Sequence, residues 1–91
     1  MSREFLNYSE VIVKNLLDKL LLSYSDICKC EKCKADMMAL SLNYVKPRYV
    51  ASEIGQLYTK AQTEINHGEM VAITSTVLRA IEVVSNNPRH Y

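Results

Sequence analysis

Apolar side chains recur at helical spacing along the first part of the chain. Five of them follow the i, i+3, i+4, i+7, i+11 order of one helical face: Val13, Leu16, Leu17, Leu20 and Tyr24. Asn7, with Glu10 three residues later, has the spacing of a capping box at a helix start. The pattern predicts a first helix from Asn7 to about Tyr24, preceded by a frayed lead over residues 1–6.

A second helix is predicted over about residues 30–43, directly after a group of cysteines. Its expected inner face consists of residues three or four apart: Cys33, Met37, Leu40 and Tyr44. Asp26, in the preceding turn, is placed to cap this helix at its start, and Asn43 is placed to cap its end. The helix therefore carries at least one cysteine into the core.

The segment 44–50 is not expected to continue as a helix. Pro47 lacks an amide donor and biases Lys46 toward extended geometry. We expect an extended connector that accommodates one short strand. A third helix is then predicted from Ser52 to about Ile65, and Gly68 is expected to end it in the left-handed cap position.

The last predicted helix, from about Glu69 to Ser85, has an unusually broad apolar surface. One stripe follows helical spacing: Met70, Ile73, Thr74, Val77, Ile81 and Val84. Val71 and Leu78 form a second stripe about 100° away around the helix. A helix of this kind is buried on more than one side, and in a small chain the second side is a partner subunit.

These patterns together predict the fold class. The protein is expected to be mainly α, a single small four-helix domain over residues 1–91 with an extended connector, and dimeric. With 91 residues, 48% hydrophobic and 23% charged, the chain has the size and composition of one ordinary globular domain. A chain this short has a marginal core, so a metal ion or a partner subunit would stabilise it.

Net charge and the absence of long apolar segments bear on the compartment and the partners expected for this protein. The net charge of +1 gives no overall attraction to nucleic acid or membrane. Neither a signal-peptide pattern nor a run of 18 apolar residues is found, so we expect a cytoplasmic protein with no membrane partner. Three cysteines within six positions also argue against a disulfide framework.

The three cysteines form a C-x-C-x-x-C motif that is typical of a metal site. Cys28, Cys30 and Cys33 can converge on one soft cation, and Zn²⁺ is the default expectation. The helix start and the neighbouring lysines, Lys29, Lys32 and Lys34, are expected to lower the thiol pKa values. The alternative is three reduced, partly buried cysteines without a metal.

A structural zinc site requires a fourth ligand beyond the three sulfurs. The candidates are His90, His67, Asp36 or a group from another chain. His67 is also expected to be an exposed turn residue. An open fourth position would indicate a catalytic metal, but the sequence offers no evident general base.

The connector carries the second candidate site. Lys46 and Arg48 flank Pro47, with Tyr44 and Tyr49 around them. Two cations and two aromatic rings on a stiff segment can hold a phosphate and stack a base, and Arg89, farther along the chain, can bind a phosphate or a carboxylate. The alternative is a surface connector anchored by its tyrosines, with Arg89 in a free terminal segment.

The motifs, taken together, resemble those of a known family. The resemblance rests on Cys28-Lys29-Cys30-Glu31-Lys32-Cys33, Asp36, Ala39-Leu40-Ser41-Leu42-Asn43, Pro47-Arg48-Tyr49-Val50 and the closing Val83-Val84-Ser85 with Pro88-Arg89. Their order and spacing are similar to those of the ComFB family of late competence proteins. The resemblance implies a small, cytoplasmic, zinc-binding homodimer of mainly helical fold. It also implies, for some relatives, binding of cyclic dinucleotides, above all cyclic di-GMP.

One departure from the family pattern concerns the fourth ligand. Some members of the family have a further cysteine near the C-terminus, whereas this chain ends Arg89-His90-Tyr91. His90 is therefore the first substitute as a metal ligand.

The sequence leaves three functions in competition. The leading hypothesis is a non-enzymatic, zinc-binding homodimeric regulator, a signalling or competence-linked adaptor, because no nucleotide-binding loop or nucleophile motif is found. The second is a cyclic di-GMP receptor that uses Lys46, Arg48, Tyr49 and Arg89. The third, a nucleic-acid-binding zinc module, is disfavoured because acidic residues dilute the basic ones.

Overall fold

The computed structural model describes residues 5–51 and 65–88. In this part of the chain three helices and two short strands follow one another: β1 (Phe5–Asn7), α1 (Tyr8–Leu21), α2 (Glu31–Leu42), β2 (Tyr49–Ala51) and α3 (His67–Asn86). The mainly helical fold class is confirmed. The further helix predicted from Ser52 lies outside the described residues apart from Ile65, which packs against the core.

The start of α1 is stabilised by its cap residue, Asn7, and by the pairing of β1 with β2. The side chain of Asn7 caps the helix, because its Oδ1 accepts a hydrogen bond from the Ser9 amide at 3.1 Å. Phe5 and Leu6 were expected to belong to a frayed lead, but Phe5–Asn7 pair in antiparallel register with Tyr49–Ala51, and residues 1–4 lie outside the described residues. For these two residues the prediction was wrong because the pairing partner lies more than 40 residues away, where no local signal reports it.

Asn7 has a second role that distinguishes it from an ordinary cap. Its Oδ1 also accepts from the amide of Arg48, at 2.7 Å, and so joins the connector to α1. The side-chain Oδ1 of Asn66, the cap of α3, accepts only from the Glu69 amide within the described residues, at 2.8 Å.

We therefore expect Asn7→Ala to lower the free energy of unfolding by about 2 kcal/mol, for one cap and one further hydrogen bond. Asn66→Ala is the matched control and should lose about 1 kcal/mol. Urea denaturation at a fixed protein concentration measures both. Equal losses in the two variants would mean that the bond to the connector contributes nothing.

The second helix has the predicted range but differs from the prediction at its N-cap and at Tyr44. Its N-cap is Cys30 rather than Asp26, and its C-cap is Asn43 as expected. Cys33 and Met37 are fully buried, and Leu40 is partly buried, as the spacing predicted. Tyr44 is 76% exposed, because the helix has ended before it and its side chain no longer follows the helical face.

The last helix begins earlier than the sequence indicated. Asn66 caps it, so that His67 and Gly68 form its first turn. Gly68 does not have a positive φ, and its expected role as a left-handed cap was wrong. The error arose because an Asn next to a Gly fits a helix end as well as a helix start. Within the described residues, no helix combines the length and apolarity needed to cross a bilayer.

The core lies between the three helices, and α2 and α3 make the most extensive contact. Its largest fully buried apolar side chains come from all three: Val13, Leu17, Cys33, Met37, Val77 and Ile81. Full burial of a large aliphatic side chain contributes about 1.5–3 kcal/mol, so these residues account for much of the stability. Cys33 is part of this core as well as of the cysteine cluster.

One buried polar group conflicts with this packing. Ser41 is fully buried on α2, and its hydroxyl oxygen has no hydrogen-bond partner among residues 5–51 and 65–88. An unsatisfied buried hydroxyl costs free energy that an alanine would not.

Ser41→Ala is therefore expected to raise the free energy of unfolding by about 1 kcal/mol. The control is Ser75→Ala on the exposed face of α3, which measures the gain in helix propensity alone. Thermal and urea denaturation report both variants. A loss of stability in Ser41→Ala would show that the hydroxyl is satisfied, for example by a buried water.

Candidate metal centre and connector

The three cysteines converge in space. The Sγ atoms of Cys28, Cys30 and Cys33 all lie within 4.8 Å of one another, and each residue is a reduced thiol. The three differ in exposure: Cys30 is exposed, Cys28 is half-buried and Cys33 is fully buried. The cluster therefore extends from the surface into the core at the start of α2.

Local structure explains why the sulfurs meet. Cys30 is the N-cap of α2, and its Sγ accepts a hydrogen bond from the amide of Cys33 at 3.4 Å. The amide of Lys34 in turn bonds the carbonyl of Cys30 at 2.9 Å, which closes the first helical turn. A cap residue and the residue three positions later lie on the same side of a helix start, so this spacing brings two sulfurs together. Cys28 approaches from the irregular segment before the helix.

The environments of Cys30 and Cys33 shift the pKa values of these two thiols in opposite directions. The backbone amide of Cys33, followed by the side chain of Cys28, lowers the pKa of Cys30 to about 7. Burial, reinforced by the neighbouring sulfurs, raises the pKa of Cys33 to about 12. Crowded thiols of this kind resist becoming thiolates together unless a cation compensates their charge.

The expectation of lowered thiol pKa values holds for Cys30, through the backbone of the helix start, whereas the expected contribution of the lysine charges was wrong. Lys32 pairs with Asp36 at 3.0 Å and Lys34 lies 3.8 Å from Asp18, so both ammonium groups have carboxylate partners. The shift at Cys30 has a backbone amide as its main cause, and the pKa of Cys33 is raised rather than lowered. Sequence proximity did not reveal that these side chains point toward carboxylates.

The fourth ligand is not among the groups that the structure brings to the cluster. Within the described residues, the candidate metal-binding group contains the three cysteines alone, without Asp36 or His67. Asp36 is paired with Lys32, and His67 is exposed at the start of α3. His90 lies outside the described residues.

The donor set fits a thiophilic metal ion. Three sulfurs within 4.8 Å of one another can each approach one central ion at the roughly 2.3 Å typical of zinc–sulfur bonds. Three thiolates favour Zn²⁺ or another soft ion over Mg²⁺ or Ca²⁺, which prefer oxygen. Cys28, Cys30 and Cys33 would hold it, with one coordination position left for a further group.

The second candidate site has a different organisation from the one expected. The guanidinium of Arg48 is turned inward: Nη1 donates to Ser9 Oγ and to the Lys46 carbonyl, each at 3.0 Å, and Nη2 donates to Glu69 at 2.8 Å. The Arg48 side chain is only 17% exposed. Arg48 thereby joins the connector to the first turns of α1 and α3.

Ser9 completes this polar junction. It is fully buried, and its hydroxyl also donates to the Lys46 carbonyl. The junction of Asn7, Ser9, Arg48 and Glu69 was missed from the sequence, since its members are far apart in the chain. The only available signal was the position of Asn7 and Glu69 next to predicted helix starts, where polar side chains already have a local explanation.

The other predicted ligand-binding residues lie at the surface. Lys46 is exposed, and the Tyr49 ring is 64% exposed and packs edge to face with Phe5, at 5.8 Å between ring centroids. Lys46, Arg48 and Tyr44 line a shallow cavity of about 170 Å³ against α3. Arg89 lies outside the described residues. The structure therefore brings Lys46 and Arg48 together, with Tyr44 rather than Tyr49 beside them.

Comparison with known proteins gives a consistent result. The family model described as late competence development protein ComFB matches residues 6–88. Competence protein ComFB of Bacillus subtilis (strain 168) is 34% identical over 82 residues, which cover 90% of this chain and 83% of that protein. The solved structure of the late competence protein ComFB from Bacillus subtilis matches with a TM-score of 0.76 and 33% identity, covering 93% of this chain and 92% of that one. The resemblance inferred from the motifs is confirmed.

Proposed function

Since the chain belongs to the ComFB family of late competence development proteins, we propose that it is a non-enzymatic, zinc-binding homodimeric regulator in competence or a related signalling process. The convergence of the three sulfurs within 4.8 Å carries the metal-binding part of this proposal. The link to competence rests on the names of its relatives. A catalytic role has no support from the described residues, whose clustered groups suit a structural ion.

A bound ion would act by joining two parts of the chain. Cys28 belongs to the irregular segment between α1 and α2, whereas Cys30 and Cys33 belong to the start of α2. Through these three cysteines a bound zinc ion would cross-link the two parts, and its binding free energy would then become folding free energy. His90 remains the proposed fourth ligand, from the same chain or from the partner.

The proposed dimer uses the side of α3 that the core leaves exposed. Val71 is 51% exposed, Leu78 is 37% exposed and Val83 is 48% exposed. Val71 and Leu78 form the second apolar stripe, which the described residues do not cover. A two-fold contact through this stripe would bury it in the manner of homodimer interfaces.

The proposal is tested by elemental analysis together with mass measurement in solution. We expect about one zinc per chain, a dimer by light scattering, and loss of thermal stability on addition of a chelator. A purified protein that contains no metal, takes none up, and keeps its full stability in chelator would exclude the metal-binding role. Val71→Glu tests the proposed dimer separately from the proposed zinc site, since this variant should weaken the dimer and still bind zinc.

Binding of a cyclic dinucleotide is the second candidate, and the observation that favours it is the exposed Lys46 at the cavity beside Tyr44. Its phosphates would contact Lys46 and, from the terminal segment, Arg89, while a base stacks on Tyr44 or Tyr49. Arg48 is less suited, because Glu69 and Ser9 already occupy its guanidinium.

Calorimetry with cyclic di-GMP tests this candidate. We expect Lys46→Ala to weaken binding at least tenfold, and Lys14→Ala, an equally charged change on the exposed face of α1, to leave it unchanged. The absence of any heat with cyclic dinucleotides would exclude the candidate. The nucleic-acid alternative gains little support, since Lys32, Lys34 and Arg48 are all engaged with carboxylates.

A further inference from the structure

The arrangement of the cysteines supports a second chemistry besides metal binding. We infer that the cluster is also an oxidation site for hydroperoxides, in which Cys30 reacts first and then forms a disulfide with Cys33, so that oxidation and metal binding exclude each other. The mutual exclusion of oxidation and metal binding rests on the metal-binding function proposed above. The disulfide itself depends on the side chains of Cys30 and Cys33 and does not require the metal.

Exposure determines which sulfur reacts first. Cys30 is exposed at the N-cap of α2, Cys28 is half-buried, and Cys33 is fully buried in the core. A dissolved peroxide must contact the sulfur that it oxidises, so Cys30 is the entry point. Oxidation directly at Cys33 would require the core to open around it.

Proximity determines the second step, the formation of the disulfide. All three sulfurs lie within 4.8 Å of one another, and the Cys30 sulfur already lies over the first turn of α2, where it accepts from the Cys33 amide at 3.4 Å. An S–S bond needs about 2.05 Å, so Cys30 and Cys33 must approach by less than about 3 Å, which a side-chain rotation at the cap can provide. Two cysteines three positions apart at a helix start have the spacing of dithiol–disulfide pairs.

The chemistry balances with the peroxide as the only oxidant. The Cys30 sulfur attacks one peroxide oxygen, an S–O bond forms, the O–O bond breaks, and the departing oxygen takes up a proton to leave as water or an alcohol. The Cys33 sulfur then attacks the sulfenic acid at Cys30, the S–S bond forms, and the hydroxyl leaves as water with the proton of the Cys33 thiol. Two thiols are oxidised and one peroxide is reduced.

The product cannot hold a metal in the same way as the reduced cluster. A disulfide between Cys30 and Cys33 removes two of the three sulfur donors and leaves Cys28 as the remaining thiol of the cluster. Since metal binding by this cluster needs several thiolates, oxidation of one pair empties the site, and reduction restores it.

The test uses the whole protein after loading with zinc, and a metal-free sample in parallel. Hydrogen peroxide is added in a stoichiometric series, released zinc is followed with a chromogenic chelator, and the remaining thiols are alkylated before digestion. Lys29 and Lys32 separate the three cysteines, so trypsin places each in its own peptide and the linked pair is identified by mass.

We expect Cys30 and Cys33 in the linked peptides, Cys28 alkylated, one zinc released per disulfide, and recovery of zinc binding after a dithiol reductant. Cys30→Ser retains an oxygen that can cap α2, and it should slow thiol loss at least tenfold. If this variant does not fold, the peptide map of the unaltered protein still shows which two cysteines form the disulfide.

Three results would overturn the inference: Cys28 in the first disulfide, a disulfide between chains before one within a chain, or intact thiols at peroxide levels that oxidise glutathione in the same tube. The metal-free sample keeps the two proposals apart. If the protein takes up no zinc, the metal-binding function fails, while the disulfide map in that sample still tests the oxidation site.

Discussion

Cys33→Ala is expected to abolish stoichiometric metal binding and to lower the melting temperature by about 10 °C or more. Cys33 supplies one of three sulfurs in the cluster and is also a fully buried core side chain. Its loss leaves two donors and a small cavity beside the packed face of α2. We expect metal affinity to fall at least about hundredfold, because loss of a ligand exceeds the effect of altering an outer group. Isothermal titration with zinc and differential scanning calorimetry measure the two effects.

Two controls separate the lost metal from the lost packing. Cys30→Ser removes a sulfur at an exposed position and keeps an oxygen that can cap α2, so it should lose the metal with less damage to the core. Chelator added to the unaltered protein should lower the melting temperature as much as Cys30→Ser does, but less than Cys33→Ala does. If Cys33→Ala binds zinc as tightly as the unaltered protein, the cluster is not the metal site.

The second large effect is expected at Arg48. Arg48→Ala should lower the free energy of unfolding by about 2 kcal/mol, because it removes charge-assisted hydrogen bonds from a mostly buried guanidinium to the buried Ser9 and to the half-exposed Glu69. The Lys46 carbonyl also loses a donor. Urea denaturation at one protein concentration provides the measurement, since a dimer's stability depends on concentration.

An exposed ion pair provides the comparison for Arg48. Lys14 and Asp18 lie 3.2 Å apart on α1 with side chains 62% and 46% exposed, so Lys14→Ala should change stability by less than about 0.5 kcal/mol. Arg48→Lys should not restore the loss, because a single ammonium cannot reach three acceptors placed for a planar guanidinium. An effect of Arg48→Ala as small as that of Lys14→Ala would show that the junction does not stabilise the fold.

The Arg48 result also affects how ligand binding is tested. A variant that loosens the connector would weaken any nearby ligand indirectly, so Arg48→Ala cannot by itself assign a phosphate contact. Lys46 is exposed and contributes its backbone carbonyl to this junction, which alanine also supplies, so Lys46→Ala is the cleaner probe. The sequence predicted the same phosphate-binding role for Lys46 and Arg48, whereas the structure distinguishes the two by their burial and their hydrogen-bond partners.

Periodicity located the described helices, and Asn7 and Asn43 were the cap residues that the sequence placed correctly. The spacing of Val13 and Leu17 predicted the buried side of α1, and the spacing of Cys33 and Met37 predicted that of α2. These predictions succeed because a helix is formed by contacts within one or two turns, which a short stretch of sequence specifies. The C-x-C-x-x-C spacing predicted the sulfur cluster for the same reason, since all three cysteines lie at one helix start.

The sequence by itself thus determined the described helices, most of their buried faces and the local group of sulfurs. Only the tertiary structure decided that Phe5–Asn7 pairs with Tyr49–Ala51, that Arg48 turns inward to Glu69, and that Cys33 is buried while Cys30 is exposed. Each of these depends on which distant segments pack against one another. Such contacts gain their free energy from burial and hydrogen bonds between parts of the chain that no local pattern relates.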